Sequence, residues 1–140
     1  MRQILLFAAL ATSLALLSGC TLSKTKKDTD EDMTGKAAYH KISAEEAYEM
    51  MASQEVVVVD VRTREEYDGG HIENAVLVPN ESIGSEMPEV LPDKEATLLV
   101  YCRSGRRSKD AAEKLLALGY QSVYDFGGVI DWPYELVKEG

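Results

Sequence analysis

Cysteine, histidine and tryptophan are scarce in this chain, which has two cysteines, two histidines and one tryptophan among 140 residues. The two cysteines, Cys20 and Cys102, are too few for a disulfide-based scaffold. Together with the two histidines they are also too few for a metal site to be proposed. Positive charge is in deficit, because 24 acidic residues face 15 basic ones and give a formal net charge of −9. That balance argues against nucleic acid as a partner.

Long apolar runs are rare, and the longest one covers residues 4–17 (ILLFAALATSLALL), just after the basic residue Arg2. A membrane-spanning helix needs about 20 apolar residues. This run is shorter and is interrupted by Thr12 and Ser13. A short apolar run behind a basic start is typical of a secretory signal segment. The sequence therefore predicts a signal peptide over residues 1–19 rather than a transmembrane anchor.

The residues LSGC, positions 17–20, resemble the lipobox of bacterial lipoproteins. The resemblance implies cleavage before Cys20 and acylation of Cys20 with more than one chain, which stable membrane anchoring requires. An ordinary cleaved signal followed by a chance cysteine is the alternative. On the lipoprotein interpretation, we expect an extracytoplasmic protein that is lipid-anchored to the plasma or outer membrane of a bacterium. Cys102 is then the sole free thiol of the chain.

Residues 21–38 (TLSKTKKDTDEDMTGKAA) are mostly charged residues, threonine and serine, without apolar periodicity. Such a segment cannot bury enough apolar surface to become ordered. We therefore expect residues 20–38 to form the lipidated cysteine and a disordered tether. Residues 39–140 are expected to form one domain.

The rest of the chain alternates short apolar runs with helical patterns, which is typical of βα units and a parallel sheet. The run VVVVD at residues 56–60 is β-branched without polar alternation, as expected of a strand covered on both faces. The sequence predicts an α/β domain of three layers, in which a parallel sheet of about five strands is flanked by helices. The predicted strands cover residues 39–42, 56–60, 75–79, 97–101 and 122–126.

Three helices are predicted from start and stop signals. A capping-box pattern (SAEE) opens a helix over residues 43–53. A second helix runs to about residue 118 and has Gly119 as its C-cap. A third is predicted to start near residue 131 or 132, with Pro133 in its first turn. Between residues 80 and 96 we expect a loop with at most one short helix.

The stretch YCRSGRRS, residues 101–108, follows an apolar strand and precedes a helix. Ligands of open α/β sheets bind at the carboxyl ends of strands. There, unpaired N–H groups and the helix dipole favour a thiolate, the nucleophilic form of Cys102. Gly105 permits the positive φ that convergent amides need. The alternative is an inert cysteine that only fills the core. Positive charge can be added by Arg103, Arg106 and Arg107.

The sequence CRSGRRS resembles the active-site loop of rhodaneses, the single-domain sulfurtransferases. Two longer stretches extend the resemblance. VVVDVRTREEYDGGHIENAVLVP is similar to the family's D-V-R, E-[FY] and G-H-I-x-x-A elements, and LGYQSVYDFGGVIDW is similar to its segment ending in G-G-x-x-x-W. The chain departs from the common loop at Arg106, where the family usually has asparagine.

The resemblance implies that Cys102 attacks the outer sulfur of a donor such as thiosulfate and becomes a persulfide, then passes the sulfur to an acceptor. No metal or organic cofactor is implied. The implied partners are a small anionic sulfur donor and a thiol acceptor, and a protein persulfide is a further candidate. Backbone amides of the loop can hold the anions. The implied active-site loop consists of Arg103, Ser104, Gly105, Arg106, Arg107 and Ser108.

Other residues have supporting or structural interpretations. Asp60 and Arg62 end a predicted strand near the loop, and we expect them to position it by hydrogen bonds. Arg103 and Arg107 are candidates for donor binding and loop shape, although one of them could form only a surface salt bridge. His71 is expected to be a buried, hydrogen-bonded ring rather than a base. Packing roles are expected for Trp132 and Tyr134.

Two other functions remain open. The domain could carry a persulfide or bind a partner without turnover of its own. The motif does not distinguish such a module from a catalytic sulfurtransferase. Cysteine-dependent phosphatases of the related dual-specificity type resemble this fold, but their loop has one residue more between cysteine and arginine. Four residues lie between Cys102 and Arg107. A shorter loop makes a smaller cradle, which favours a sulfur atom over a phosphoryl group.

Overall fold

The computed structural model describes residues 37–138. Its five strands pair in the order β1-β5-β4-β2-β3, and every pair is parallel. The predicted five-stranded parallel sheet is confirmed. The strands are β1 (Ala38–Lys41), β2 (Val57–Asp60), β3 (Val76–Leu77), β4 (Thr97–Cys102) and β5 (Ser122–Gly128).

The helices are α1 (Ala44–Ser53), α2 (Arg64–Asp68) and α3 (Arg106–Ala117). Two short 3-10 helices cover Asn80–Ser82 and Val129–Asp131. The predicted capping box of α1 is present, because Ser43 Oγ accepts from the Glu46 N–H and Glu46 Oε2 accepts from the Ser43 N–H. The structure confirms the helix predicted over residues 43–53 and the helix predicted to end near residue 118. Between residues 80 and 96 the structure describes one short helix, Asn80–Ser82, as expected.

The α2 helix was not among the predicted elements. It is five residues long, and a periodic pattern needs a longer window to be seen. Its start signal is nevertheless in the sequence, since Thr63 and Glu66 form a capping box. This helix places Glu66 within reach of the loop that follows β4.

The predicted third helix near residue 131 is wrong. The chain forms only the 3-10 helix Val129–Asp131, and Trp132 has an extended backbone with φ −76° and ψ 114°. The reason is steric, because the residue before a proline is pushed out of the helical region and Pro133 follows. Farther on, Val137 and His71 form an antiparallel bridge. The N–H and carbonyl groups of Val137 bond to His71 and are therefore not part of a helix.

Two apolar clusters cover the two faces of the sheet. The α3 helix packs on one face and α1 and α2 on the other, which makes three layers. Successive side chains of a strand point to opposite faces. Along β4, therefore, Tyr101 belongs to the cluster with α1 and α2, whereas Cys102 belongs to the cluster with α3.

The predicted signal peptide, Cys20 and nearly all of the predicted tether lie outside the described residues. Within residues 37–138, no helix has the length and apolar character required to cross a membrane. The first described strand begins at Ala38, one residue before the predicted start of the domain.

Candidate active site

Cys102 is the last residue of β4, and three residues separate it from the first residue of α3. Its backbone pairs with Gly128 of β5, where the register of the two strands shifts. Gly105 caps the start of α3 with a positive φ of 101°. The chain therefore turns from strand to helix within residues 103–105, at the carboxyl edge of the sheet.

The turn directs backbone amides at the sulfur of Cys102. The Gly105 N–H donates to Cys102 Sγ at 3.0 Å. Burial by itself raises the pKa of the Cys102 thiol, but hydrogen bonds from the amides of Ser108, Gly105 and Ser104 and from the Ser108 side chain outweigh it and lower the pKa. Because no side chain caps α3, its first amides are free for this purpose. The site thus favours a thiolate, which is the nucleophilic form.

The loop lies directly on the end of β5. The Ile130 N–H donates to the Arg103 carbonyl at 3.2 Å. A Cβ atom added to Gly128 would overlap the Arg103 carbonyl and would lie 2.5 Å from the Ser104 Cα. The absence of a side chain at position 128 is therefore what allows the two backbones to approach.

Arg107 is held by α2. Its guanidinium donates to Glu66 Oε2 and Oε1, each at 2.8 Å, in a bidentate pair that is about one-quarter exposed. Hydrogen bonds from Arg107, opposed by burial, lower the pKa of Glu66 to about 2. Of the two arginines expected to bind donor, Arg107 is thus engaged with a carboxylate.

Arg103 and Arg106 are exposed. Within residues 37–138, neither side chain takes part in a hydrogen bond or ion pair. Ser104 is also exposed, and Ser108 is buried. Two cationic side chains are therefore available at the loop for an anion, while Arg107 is engaged elsewhere.

Asp60 and Arg62 form a buried pair behind β4. Arg62 Nε lies 3.0 Å from both carboxylate oxygens of Asp60, and Nη2 lies 2.6 Å from Oδ2. Tyr101 donates its hydroxyl to Asp60 Oδ2 at 2.6 Å and accepts from the Ile72 N–H. Burial raises the pKa of Tyr101, and the nearby Asp60 carboxylate raises it further. The described hydrogen bonds of this pair fix Tyr101, the residue before Cys102, and none of them reaches residues 103–108.

Asp125 of β5 is a further site residue, which was not among the predicted ones. Its carboxylate is buried and accepts from the Ser108 hydroxyl at 2.7 Å and the Gly127 N–H at 2.9 Å. Tyr39 donates its hydroxyl at 2.8 Å, and Lys41 Nζ lies at 3.3 Å. The signal in the sequence was an aspartate within the predicted strand SVYDF, where an apolar residue is the norm.

The remaining candidates lie apart from the sulfur. His71 is buried, its Nδ1 lies 3.0 Å from the Tyr67 carbonyl, and its ring stacks on Tyr67 at 3.7 Å. Trp132 packs against Phe126 at 5.6 Å and against Tyr134 at 5.0 Å between ring centroids. Neither His71 nor Trp132 contacts Cys102 through a described hydrogen bond or ring contact.

The site is a thiol at the end of a parallel strand of an α/β fold, with amides of the following loop and helix directed at its sulfur. The Rhodanese-like domain family matches residues 43–133, well over half of the chain. The protein belongs to the rhodanese-like domain family.

Similar proteins agree with this assignment. A tRNA uridine(34) hydroxylase of Yersinia pestis is 30% identical over 106 residues, which cover 72% of this chain and 30% of that protein. The chain therefore spans about a third of the length of such curated relatives. The structure of a rhodanese with anions from E. coli has 34% identity and a TM-score of 0.56, covering 61% of this chain and 100% of that one. A human single-domain sulfurtransferase has 26% identity and a TM-score of 0.60, covering 66% and 93%.

The replacement Gly128→Ala is predicted to open the loop. Its methyl group would overlap the Arg103 carbonyl, and such overpacking lowers the free energy of unfolding by about 1–3 kcal/mol. Urea unfolding measures this change. The rate of Cys102 alkylation by iodoacetamide at neutral pH should also fall, because amides displaced with the loop no longer stabilise the thiolate. Gly84→Ala is the matched control, because a Cβ there has no heavy atom within 4 Å. Equal stability of the two variants would contradict the proposed backbone contact.

The pair of Glu66 and Arg107 predicts a pH-dependent contribution to stability. The folded-state pKa of Glu66 is about 2, below the ordinary 4.5, so its stabilisation is present above 4.5 and lost as pH falls toward 2. The difference in free energy of unfolding between the native chain and Glu66→Gln should shrink across this range. Glu65→Gln, at an exposed neighbour, is the control. A difference that stays constant with pH would contradict the pairing.

Proposed function

We propose that this protein is a sulfurtransferase in which Cys102 receives a sulfane sulfur from thiosulfate or a persulfide and transfers it to a thiol or another nucleophile. The observation that carries the proposal is the amide of Gly105, 3.0 Å from the Cys102 sulfur, in a loop whose Ser104 and Ser108 amides bond to the same atom. Membership of the rhodanese-like family supports it.

The proposed reaction has two displacement steps. The Cys102 thiolate attacks the outer sulfur of thiosulfate, a sulfur–sulfur bond forms, and sulfite leaves with the electron pair of the broken bond. An acceptor thiolate then attacks the outer sulfur of the persulfide, and Cys102 leaves as the thiolate. No electrons are gained or lost overall, and no proton is required at the reacting sulfurs.

Both the donor and the persulfide are anions, and the loop offers them positive potential. Backbone N–H groups at the start of a helix bind anions without a reorganisation cost. Arg103 and Arg106 can add two exposed positive charges, of which Arg106 also interacts electrostatically with Asp110. Arg107 supports loop shape rather than direct binding in this arrangement, since Glu66 holds it at both ends of the guanidinium fork.

A persulfide carrier without turnover of its own uses the same steps up to the loaded state. It differs in the acceptor, which is then a partner protein instead of a small molecule. Turnover with thiosulfate and cyanide, compared with stoichiometric loading, separates the two functions. Hydrolysis of a phosphoryl ester that disappears in Cys102→Ser would instead establish a phosphatase.

We also propose that the domain acts outside the cytoplasm as a lipoprotein attached through Cys20. The support is the segment LSGC behind an apolar run. The only other cysteine is Cys102, so acylation of Cys20 leaves the active-site thiol without a disulfide partner in the same chain.

Incubation of the chain with thiosulfate is predicted to add one sulfur atom per molecule, as seen by intact mass measured without reductant. Cys102→Ser should show no addition, because the attacking sulfur is gone. Cys20→Ser is the matched control and should load like the native chain. Absence of both loading and turnover in the native chain, handled in its reduced state, would contradict the sulfurtransferase proposal.

Cys20→Ala is predicted to move the protein from the membrane fraction to the soluble fraction of the host bacterium, because the acylated residue is lost. Immunoblots of fractionated cells measure this, with Cys102→Ala as the matched cysteine control. Unchanged membrane association of Cys20→Ala would point to another means of attachment.

A further inference from the structure

Asp125 lies beneath the active-site loop and takes no part in the proposed sulfur chemistry. A buried carboxylate is costly unless donors and a countercharge surround it. Asp125 is 1% exposed, and its contacts come from three parts of the fold. These are Lys41 and Tyr39 of β1, Gly127 of β5 and Ser108 of α3.

The hydroxyl of Ser108 has a single proton and several acceptors in reach. Asp125 Oδ1 is at 2.7 Å, the Gly105 carbonyl at 3.0 Å and the Gly127 carbonyl at 3.3 Å. The Ser108 side chain also helps to lower the pKa of the Cys102 thiol, so the sulfur is a further acceptor that competes for this proton. The proton cannot serve all of them. Asp125 is the nearest of the three oxygens and carries the charge, so it forms the strongest bond.

We propose that Asp125 is a positioning residue that draws the Ser108 hydroxyl proton away from Cys102. Together with Lys41 it determines the net charge of the groups behind the Cys102 sulfur. This inference rests on the proposed function for Cys102. With the hydroxyl held by Asp125, the Ser108 side chain gives the sulfur a weaker hydrogen bond, and the backbone amides are the main donors to it. A thiolate with a weaker hydrogen bond is more reactive, because nucleophilicity falls as a thiolate is stabilised.

Lys41 is the second part of the arrangement. It comes from the edge strand β1, is about half exposed, and lies 3.3 Å from Asp125 Oδ1. It offsets a negative charge that would otherwise oppose ionisation of the nearby thiol. Removing the carboxylate of Asp125 and removing the ammonium group of Lys41 should therefore shift the pKa of Cys102 in opposite directions.

Other charged groups also surround the thiol. Arg107, paired with Glu66, interacts electrostatically with Cys102 from the start of α3. The loop adds the exposed Arg103 and Arg106, and Tyr39 donates to Asp125 from β1. Behind Tyr101 lies the buried pair of Asp60 and Arg62. Substitution at Asp125 or Lys41 leaves these other groups chemically unchanged, so their effect on Cys102 is common to all variants compared.

The test is the pH profile of Cys102 alkylation by iodoacetamide in the full chain carrying Cys20→Ser, in which Cys102 is the cysteine that remains. Asp125→Asn should lower the apparent pKa of Cys102 by about 1 unit, because a like charge is lost and the Ser108 hydroxyl is released to the sulfur. The rate at the high-pH plateau should fall about threefold, as expected for a more stabilised thiolate. Lys41→Met should raise the apparent pKa. The exposed Glu89→Gln, which also removes one negative charge, should leave the profile unchanged.

A purely structural role for Asp125 would lower stability and leave the profile of the folded variant in place, and that result would overturn the proposal. So would shifts of the same sign for Asp125→Asn and Lys41→Met. If Asp125→Asn does not fold, Lys41→Met tests the proposal alone. An unchanged or lowered apparent pKa of Cys102 in Lys41→Met would then overturn it. Persulfide loading is measured separately, so its failure would remove the proposed function while the alkylation profile still tests Asp125.

Discussion

The carbonyl of Arg103 occupies the space that a side chain at position 128 would need, and the geometry of the site depends on this approach of two backbones. It holds the loop against the end of β5. The same contact region brings Gly105 close to Gly127, since a Cβ on Gly105 would lie 3.5 Å from the Gly127 Cα. With the loop held there, the amide of Gly105 faces the Cys102 sulfur. The position of the nucleophile thus follows from backbone packing more than from side-chain contacts.

Two buried charged groups lie near opposite faces of β4 and act on neighbouring residues. On the α1 and α2 face, Asp60 and Arg62 fix the hydroxyl of Tyr101. On the α3 face, Asp125 holds Ser108. A buried ion pair such as Asp60 and Arg62 contributes little to net stability, because desolvation offsets its attraction. The effect of both buried carboxylates here is geometric, since each holds a residue that adjoins or faces Cys102.

Much of the fold could be predicted because its signals are local. An apolar run specifies β4, a capping box specifies α1, and the loop's residues specify an activated Cys102. What could not be predicted depends on contacts between distant residues. Glu66 and Arg107 are 41 positions apart, and nothing near either one identifies the other. The partners of Asp125 come from β1 and α3, which are distant from it in sequence. The expected last helix does not form, because Pro133 suits the first turn of a helix but keeps the preceding residue, Trp132, out of the helical region.

No side chain at the N-cap position serves the first turn of α3. The Cys102 sulfur accepts from the Ser108 amide, the N–H that an N-cap serine or aspartate oxygen usually serves, and from the Gly105 N–H just before the helix. A chemical change at that sulfur is therefore also a change in helix capping. In the proposed persulfide the negative charge would lie one bond farther out, and the Gly105 amide would lose part of its anionic partner. Hydrogen exchange at the start of α3 would then follow the chemical state of the cysteine.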